Sequence, residues 1–261
     1  MAAPITLEHQ RFGASGGYPV LVHHGLIGSA SVSPDAASEA ARRNIELIAL
    51  ARPGYGRSAP QPMTSIGDWH GIVTPLLDTL GIERYSVWGT SAGAPYAYAL
   101  AALDRERVDS VAITSGLGYL PDTEILAEYD TESQQAFEMF RTASFDDVRN
   151  YWSQALRASL EEQGDDGEWT QILRSSLAHD CAGPAREAIL QQQPWAFELT
   201  ALTCPVRMWH SRDDTMVPLT TAELTRNLMR HAELTILPGD EHIPTAGMVR
   251  EAMDYLQSRS R

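Results

Sequence analysis

Three kinds of residue in this sequence have the chemistry and the setting for nucleophilic catalysis: a serine between glycines, a late histidine and a pair of aspartates. The serine is Ser91, in Gly89-Thr90-Ser91-Ala92-Gly93. It follows the apolar run Tyr85–Trp88 and opens a small-residue stretch through Ala102 that reads as a helix. Such a tight strand-to-helix turn holds its central residue in a strained backbone and leaves no room for bulk two positions away. Gly89 and Gly93 meet that demand. The hydroxyl then projects above the sheet, beside the amides of a helix N-terminus. Pro95 suits a first helical turn, whose amides have no intrahelical partner. Taken alone, the five residues also fit an ordinary tight turn; the residues below weigh against that.

A serine hydroxyl needs a base to attack near neutral pH. Of the eight histidines, His242 is in the expected place, in the loop Pro238-Gly239-Asp240-Glu241-His242-Ile243-Pro244, after the last strand candidate and before a C-terminal helix. His9, His70 and His179 fall too early or in the wrong element, His210 is expected to be packed in a strand, and His231 to be solvated at a helix end. The base needs a carboxylate to hold one tautomer and stabilise the imidazolium. Ser211-Arg212-Asp213-Asp214-Thr215-Met216-Val217-Pro218 offers two, Asp213 and Asp214. Acyl transfer also needs donors for a developing oxyanion. One is the backbone N–H of Ala92, directly after the serine. The other is assigned to Leu26 N–H, in the loop His23-His24-Gly25-Leu26-Ile27-Gly28-Ser29. His24 itself is expected to be a packed scaffold residue. A metal at His23-His24 is not expected, because adjacent strand residues face opposite sides and no partner ligand lies at a usual spacing.

The elements that would position these groups alternate. Strand candidates are Ile5–Arg11, Pro19–His23, Ile45–Ala49, Tyr85–Trp88, Ser110–Thr114, Val206–His210 and Leu234–Leu237. Several are apolar at consecutive positions, which suits strands covered on both faces of a mostly parallel sheet. Ser33-Pro34 reads as a helix start, Thr64–Leu80 as a helix stopped by Gly81, and Thr220–Glu223 as a capping box. Strand and helix in alternation imply an α/β fold, with helices flanking the central sheet. Between Pro121 and Leu202 no convincing strand occurs. The segment offers the helical pieces Ser133–Arg141, Phe145–Leu160 and Glu168–Ala178, with a turn at Gly164-Asp165-Asp166-Gly167. The expected organisation is a core of residues 1–120 and 203–261 with a helical insertion at 121–202.

Composition narrows the chemistry. The 261 residues are 43 % hydrophobic and 21 % charged, enough for a large core and unlike a disordered chain. All 20 basic residues are arginine. Without lysine there is no P-loop lysine, no Schiff-base lysine and no pyridoxal-phosphate site. A net charge of −14 argues against nucleic acid and anionic membranes as partners. The insertion holds 16 acidic and 5 basic residues, so most of the excess charge sits there. A solvated helical face accounts for it more simply than an entrance that repels anions. Cys181 and Cys204 are in no metal or redox spacing and read as free thiols. No run approaches a membrane span, and the first nine residues lack a signal-peptide pattern, so the expected compartment is the cytoplasm.

Together these motifs resemble the α/β-hydrolase family, from about Pro19 to the C-terminus. The resemblance rests on His24-Gly25, Arg52-Pro53-Gly54-Tyr55-Gly56-Arg57-Ser58, the Ser91 elbow, and the Asp214 and His242 loops. In that family the acid stands four residues before the proline of a D-x-x-V-P loop, which selects Asp214 before Pro218 and leaves Asp213 a loop residue. The insertion lies where the family carries a helical cap, between its sixth and seventh strands. A serine nucleophile sets the sequence apart from the family's haloalkane dehalogenases and epoxide hydrolases, which use aspartate. Ala92, where prolyl aminopeptidases carry tryptophan, weakens a peptidase reading. Ala51 stands where an aspartate often precedes the arginine, in a loop that is structural in the family.

The resemblance implies a cofactor-independent serine hydrolase with the triad Ser91, Asp214 and His242, acting on small neutral or apolar carboxylic esters. C–C bond, thioester and lactone hydrolysis and perhydrolysis use the same parts. A slow-turnover, ligand-binding signalling receptor on this scaffold is the reading from another class. Trp152, Met139 and Phe140 in the insertion are candidate substrate contacts; they and Trp169 and Trp195 fit core packing as well.

Overall fold

The structure, a computed structural model, describes residues 7–163 and 167–259. Among them, seven strands form one sheet in the order β1-β3-β2-β4-β5-β6-β7. These are β1 (His9–Gly13), β2 (Tyr18–His23), β3 (Ile45–Leu50), β4 (Tyr85–Thr90), β5 (Val108–Thr114), β6 (Val206–Ser211) and β7 (Ala232–Leu237). Only β1 is antiparallel, pairing with β3; the other neighbours run parallel. The α/β fold with a mostly parallel central sheet is therefore as expected.

Side-chain alternation explains the double-sided apolar strands. Val20, Val22, Leu47 and Ala49 join a core against α1 (Pro34–Arg42) and α9 (Ala246–Ser258), through Ala36, Ala40, Met253 and Leu256. Leu21, Ile48, Leu50 and Val87 face the other way, toward Trp69, Val73 and Leu77 of α2 (Asp68–Thr79) and toward α3 (Ala94–Leu103). Residues 94–102 of α3 are all buried, so it has no polar face and reads as a plain run of small and aromatic residues.

Some boundaries differ from expectation for local reasons. The first strand starts at His9, and residues 1–6 lie outside the described residues. The helix expected from Thr64 starts at Asp68. Its carboxylate accepts the amides of Thr64 at 2.6 Å and Ser65 at 3.0 Å, closing residues 64–67 into a turn. Gly81, at φ +67°, follows the helix end as expected. No capping box forms at Thr220. α8 (Leu219–Asn227) starts one residue earlier after Pro218, and the Thr221 hydroxyl donates to the Pro218 carbonyl at 2.8 Å. Ser33 does cap α1, accepting from Ala36 N–H at 3.2 Å.

Between β5 and β6 the chain carries α4 (Thr123–Leu126), α5 (Thr131–Thr142), α6 (Phe145–Gln163) and α7 (Glu168–Gln191). With seven strands described, the insertion follows the fifth of this chain rather than a sixth. The expected turn at Gly164-Asp165-Asp166-Gly167 falls largely outside the described residues. α7 consists of two helical stretches: the first ends at Ala178 as expected, and after a break the second runs on to Gln191. His179, Asp180 and Cys181 take positive φ of 51°, 57° and 61°. Left-handed backbone at three successive non-glycine residues is costly and needs surrounding support. Part of it comes from Arg149, which pairs with Asp180 at 3.2 Å. Both cysteines are free; burial pushes their thiols up, Cys181 to about 12 and Cys204 to about 11.

Candidate active site

β4 ends at Thr90, and the chain turns through a 3-10 segment, Ser91–Gly93, into α3. Ser91 sits at φ 52°, a left-handed conformation rare for a serine. The turn is closed by near contact with the β2 exit. A Cβ on Gly93 would lie 2.2 Å from the His23 carbonyl oxygen, and one on Gly89 2.9 Å from the Gly93 carbonyl oxygen. The glycine spacing is thus a steric requirement of the elbow.

The three side chains separated by up to 151 positions in sequence meet here. The Ser91 hydroxyl is 2.9 Å from His242 Nε2, and His242 Nδ1 is 2.8 Å from Asp214 Oδ2. With Asp214 ionised, this network assigns the proton to Nδ1 and leaves Nε2 to accept from the serine. Asp214 Oδ1 accepts the amides of Met216 at 2.9 Å and Val217 at 3.0 Å. Burial of Asp214 would raise its pKa, but the hydrogen bonds from His242 and the Val217 amide outweigh it and hold the carboxyl below its ordinary value. Asp213 is exposed, and its amide donates to the Gly239 carbonyl at 2.9 Å. That contact and a hydrogen bond from the Ser211 hydroxyl to the Glu241 carbonyl, 2.7 Å, tie the acid loop to the loop bearing His242.

The oxyanion-loop candidates lie beside the serine. A Cβ on Gly25 would stand 3.6 Å from Ser91 Cβ and 3.9 Å from its Oγ. Ala92 is buried directly after Ser91. Leu26 follows Gly25, and its carbonyl accepts from the Tyr55 hydroxyl at 2.7 Å. His24 is a scaffold group as expected. Its Nδ1 donates to the Gly25 carbonyl at 2.6 Å, and its Nε2 accepts the Arg52 amide at 3.4 Å. Its ring fills the place of a side chain at residue 28, since a Cβ on Gly28 would come within 2.2 Å of it.

The insertion candidates separate. Phe140 is buried in the insertion's own core with Val148, Ala185 and Ala188, and Met139 packs against that cluster. Trp152 borders it too, 5.7 Å from the Phe140 ring, and also reaches a second cluster that includes Ile27, next to Leu26. Of the three, Trp152 is the one that shares a cluster with Ile27, in the loop after β2. Trp195 is fully buried between Tyr98, Tyr119 and Phe197, whereas Trp169 is exposed. A surface cleft of about 380 Å³ runs along the seam between insertion and sheet core by Ser29, Arg57 and Ser175, and none of its lining residues belongs to the Ser91 site.

Several residues around the site have partners that the sequence did not assign. His210 donates through Nε2 to the Val217 carbonyl at 2.7 Å, bracing the acid loop. Ser176 in α7 accepts the Gly28 amide at 2.9 Å. Arg52, fully buried, pairs with Glu187 of α7. Only a lone acid in the otherwise largely apolar run Ala185–Leu190 marks Glu187 in the sequence.

His23, His24 and His210 share a consequence for stability. Burial pushes all three below the ordinary imidazole value, reinforced at His23 and His24 by the charge of Arg52. The unfolded chain therefore binds protons that the folded chain refuses. Their contribution is complete above about pH 6.5 and is lost as pH falls from there toward the depressed folded values. The melting temperature should drop by several degrees between pH 7.5 and 5.5, and less in His23→Gln, whose amide oxygen can still accept the Trp69 indole N–H that His23 now accepts at 2.8 Å. Thermal melts across that range check it.

Comparison with known proteins identifies the family of this fold. The alpha/beta hydrolase fold family matches residues 18–245, and the chain belongs to that family. RutD of Caulobacter sp. (strain K31), provisionally named a carbamate hydrolase, is 26 % identical over 249 residues, covering 90 % of this chain and 88 % of that one. A thermophilic esterase from Thermogutta terrifontis superposes with a TM-score of 0.68 at 18 % identity, over 97 % of this chain and 92 % of the other. An enol-lactonase from Burkholderia xenovorans LB400 superposes with a TM-score of 0.70 at 16 % identity, over 97 % and 98 %. Among the described residues no helix is long and apolar enough to cross a membrane.

Proposed function

We propose that the protein is a serine hydrolase that cleaves small, neutral or apolar carboxylic esters through an acyl-enzyme. The observation that carries this is the continuous hydrogen-bonded line from the Ser91 hydroxyl through both ring nitrogens of His242 to Asp214. In the proposed reaction His242 Nε2 takes the Ser91 proton as Oγ attacks the acyl carbon. The imidazolium, steadied by Asp214, returns that proton to the leaving alcohol. Water, deprotonated by the same nitrogen, then releases the acid. Leu26 and Ala92 N–H stabilise the oxyanion of each tetrahedral intermediate.

Apolar residues at the triad's edge support the choice of substrate. Met216, two residues after the acid, and Ile243, directly after the base, are both mostly exposed. The insertion, read as a cap over the site, would add the aromatic surface of Trp152, which shares a cluster with Ile27 of the loop after β2. The named activities of the similar proteins, on esters, enol-lactones and carbamates, all act at an acyl carbon bearing a heteroatom leaving group.

A fluorophosphonate probe should label the protein at Ser91 alone, mapped by mass spectrometry. A panel of p-nitrophenyl acetate and butyrate, lactones, thioesters and anionic esters should then show turnover best for the short neutral esters. Labelling elsewhere, or none, would sink the proposal. Very slow turnover with ligand-dependent shifts in melting temperature would favour a receptor on the same scaffold.

A further inference from the structure

We propose that Arg52, held by Glu187 of the insertion, is a positioning residue that fixes the direction of the Leu26 oxyanion donor; this rests on the ester-hydrolase reading above. The Leu26 N–H and the Gly25 C=O belong to one planar trans peptide, so they point in opposite directions. Two donors hold the Gly25 carbonyl: Arg52 Nη2 at 3.0 Å and His24 Nδ1 at 2.6 Å. The N–H is therefore turned away from the guanidinium. The carbonyls on either side are held as well, His24 by Arg52 Nη1 at 2.7 Å and Leu26 by the Tyr55 hydroxyl at 2.7 Å.

The clamp matters because glycine resists rotation weakly. A peptide next to Gly25 can flip at little local steric cost. The flip would exchange the directions of the carbonyl oxygen and the Leu26 N–H, in a loop whose Gly25 lies against Ser91, and leave the hole with one donor. The second donor is fixed by the same logic. The Ser91 carbonyl accepts the Leu117 amide at 3.0 Å, which sets the direction of Ala92 N–H.

Arg52 is built for this task. Nε and Nη2 grip the two oxygens of Glu187, the latter at 2.8 Å, while Nη1 and Nη2 reach the two loop carbonyls. Its guanidinium also lies 4.5 Å from the centre of the Tyr96 ring. Lysine cannot serve four acceptors in these directions. Since Glu187 lies in α7, the insertion supplies the counter-charge that orients a donor in the core.

The test compares wild type, Arg52→Lys and the isosteric Glu187→Gln, each assayed below its own melting temperature. Readouts are kcat and KM for p-nitrophenyl butyrate and the rate of fluorophosphonate labelling, which also passes through an oxyanion. Arg52→Lys should lower kcat at least tenfold with KM changed less than about threefold, and slow labelling by a similar factor. Glu187→Gln should move both in the same direction by less, and it carries the test if Arg52→Lys does not fold. An ion pair that merely ties insertion to core would leave kcat and labelling intact, or raise KM alone. Either result, in folded variants of a labelled wild type, overturns the clamp and leaves the hydrolase reading standing. A wild type that neither labels nor turns over esters overturns both.

Discussion

Ser91→Ala should fold like the parent and lose ester hydrolysis by roughly a million-fold, the scale seen when a triad nucleophile is removed. The folding half follows from the backbone. Ser91 is at φ 52°, and alanine keeps the same Cβ there, so the change adds no strain of its own. What disappears is one hydroxyl and its 2.9 Å hydrogen bond to His242. Residual turnover would come from bound water and the oxyanion donors alone. Steady-state kinetics with p-nitrophenyl acetate, and melting temperatures within about 2 °C, check both halves. Activity above about one per cent of the parent would mean another nucleophile.

Asp214→Asn should cost about four orders of magnitude in kcat, while Asp213→Asn should change it less than about twofold. Asp214 Oδ1 serves two amides, so an asparagine would keep its carbonyl oxygen on Met216 and Val217. Its NH2 would then face His242 Nδ1, where Oδ2 now accepts at 2.8 Å. The ring must answer with a bare Nδ1, which moves its proton to Nε2. That nitrogen would point a donor at the serine and could no longer take its proton. Asp213 has no such part, being exposed with its amide on Gly239. A large loss at Asp213 with little at Asp214 would reverse the assignment of the acid.

Much of this architecture was legible because it is written in local rules. Apolar residues on consecutive positions of β2 and β3 announce strands covered on both faces, and Gly89 and Gly93 announce a crowded elbow. The positions of Ser91 and His242 follow from the elbow and from chain order, the choice of Asp214 over Asp213 from the family resemblance, and the geometry brings the three together. What escaped was fixed by partners distant in sequence. Glu187 acquires its setting only when Arg52, 135 positions away, is buried against it. Ser176 meets Gly28 across 148 positions. The break at residues 178–181, by contrast, falls where the sequence ends that helix, at Ala178, and Pro184 crowds the carbonyl of Asp180 four residues earlier, but the left-handed backbone through it was not legible. Met139 and Phe140 show the converse: aromatic and sulfur side chains advertise contact, but not with what, and here they fill the insertion's own interior.

The bent α7 divides the labour of the insertion. Ser176 before the bend is bonded to the loop at Gly28, Glu187 after it holds Arg52, which grips the same loop, and Gly183 packs so closely on Gly54 and Tyr55 that neither glycine has room for a side chain. A rigid outward swing of residues 121–202 would break all of these contacts at once. α5 and α6 share that anchorage, because Phe140 and Val148 are buried with Ala185 and Ala188 of α7 and Arg149 pairs with Asp180, so the helical layer moves with α7 or not at all.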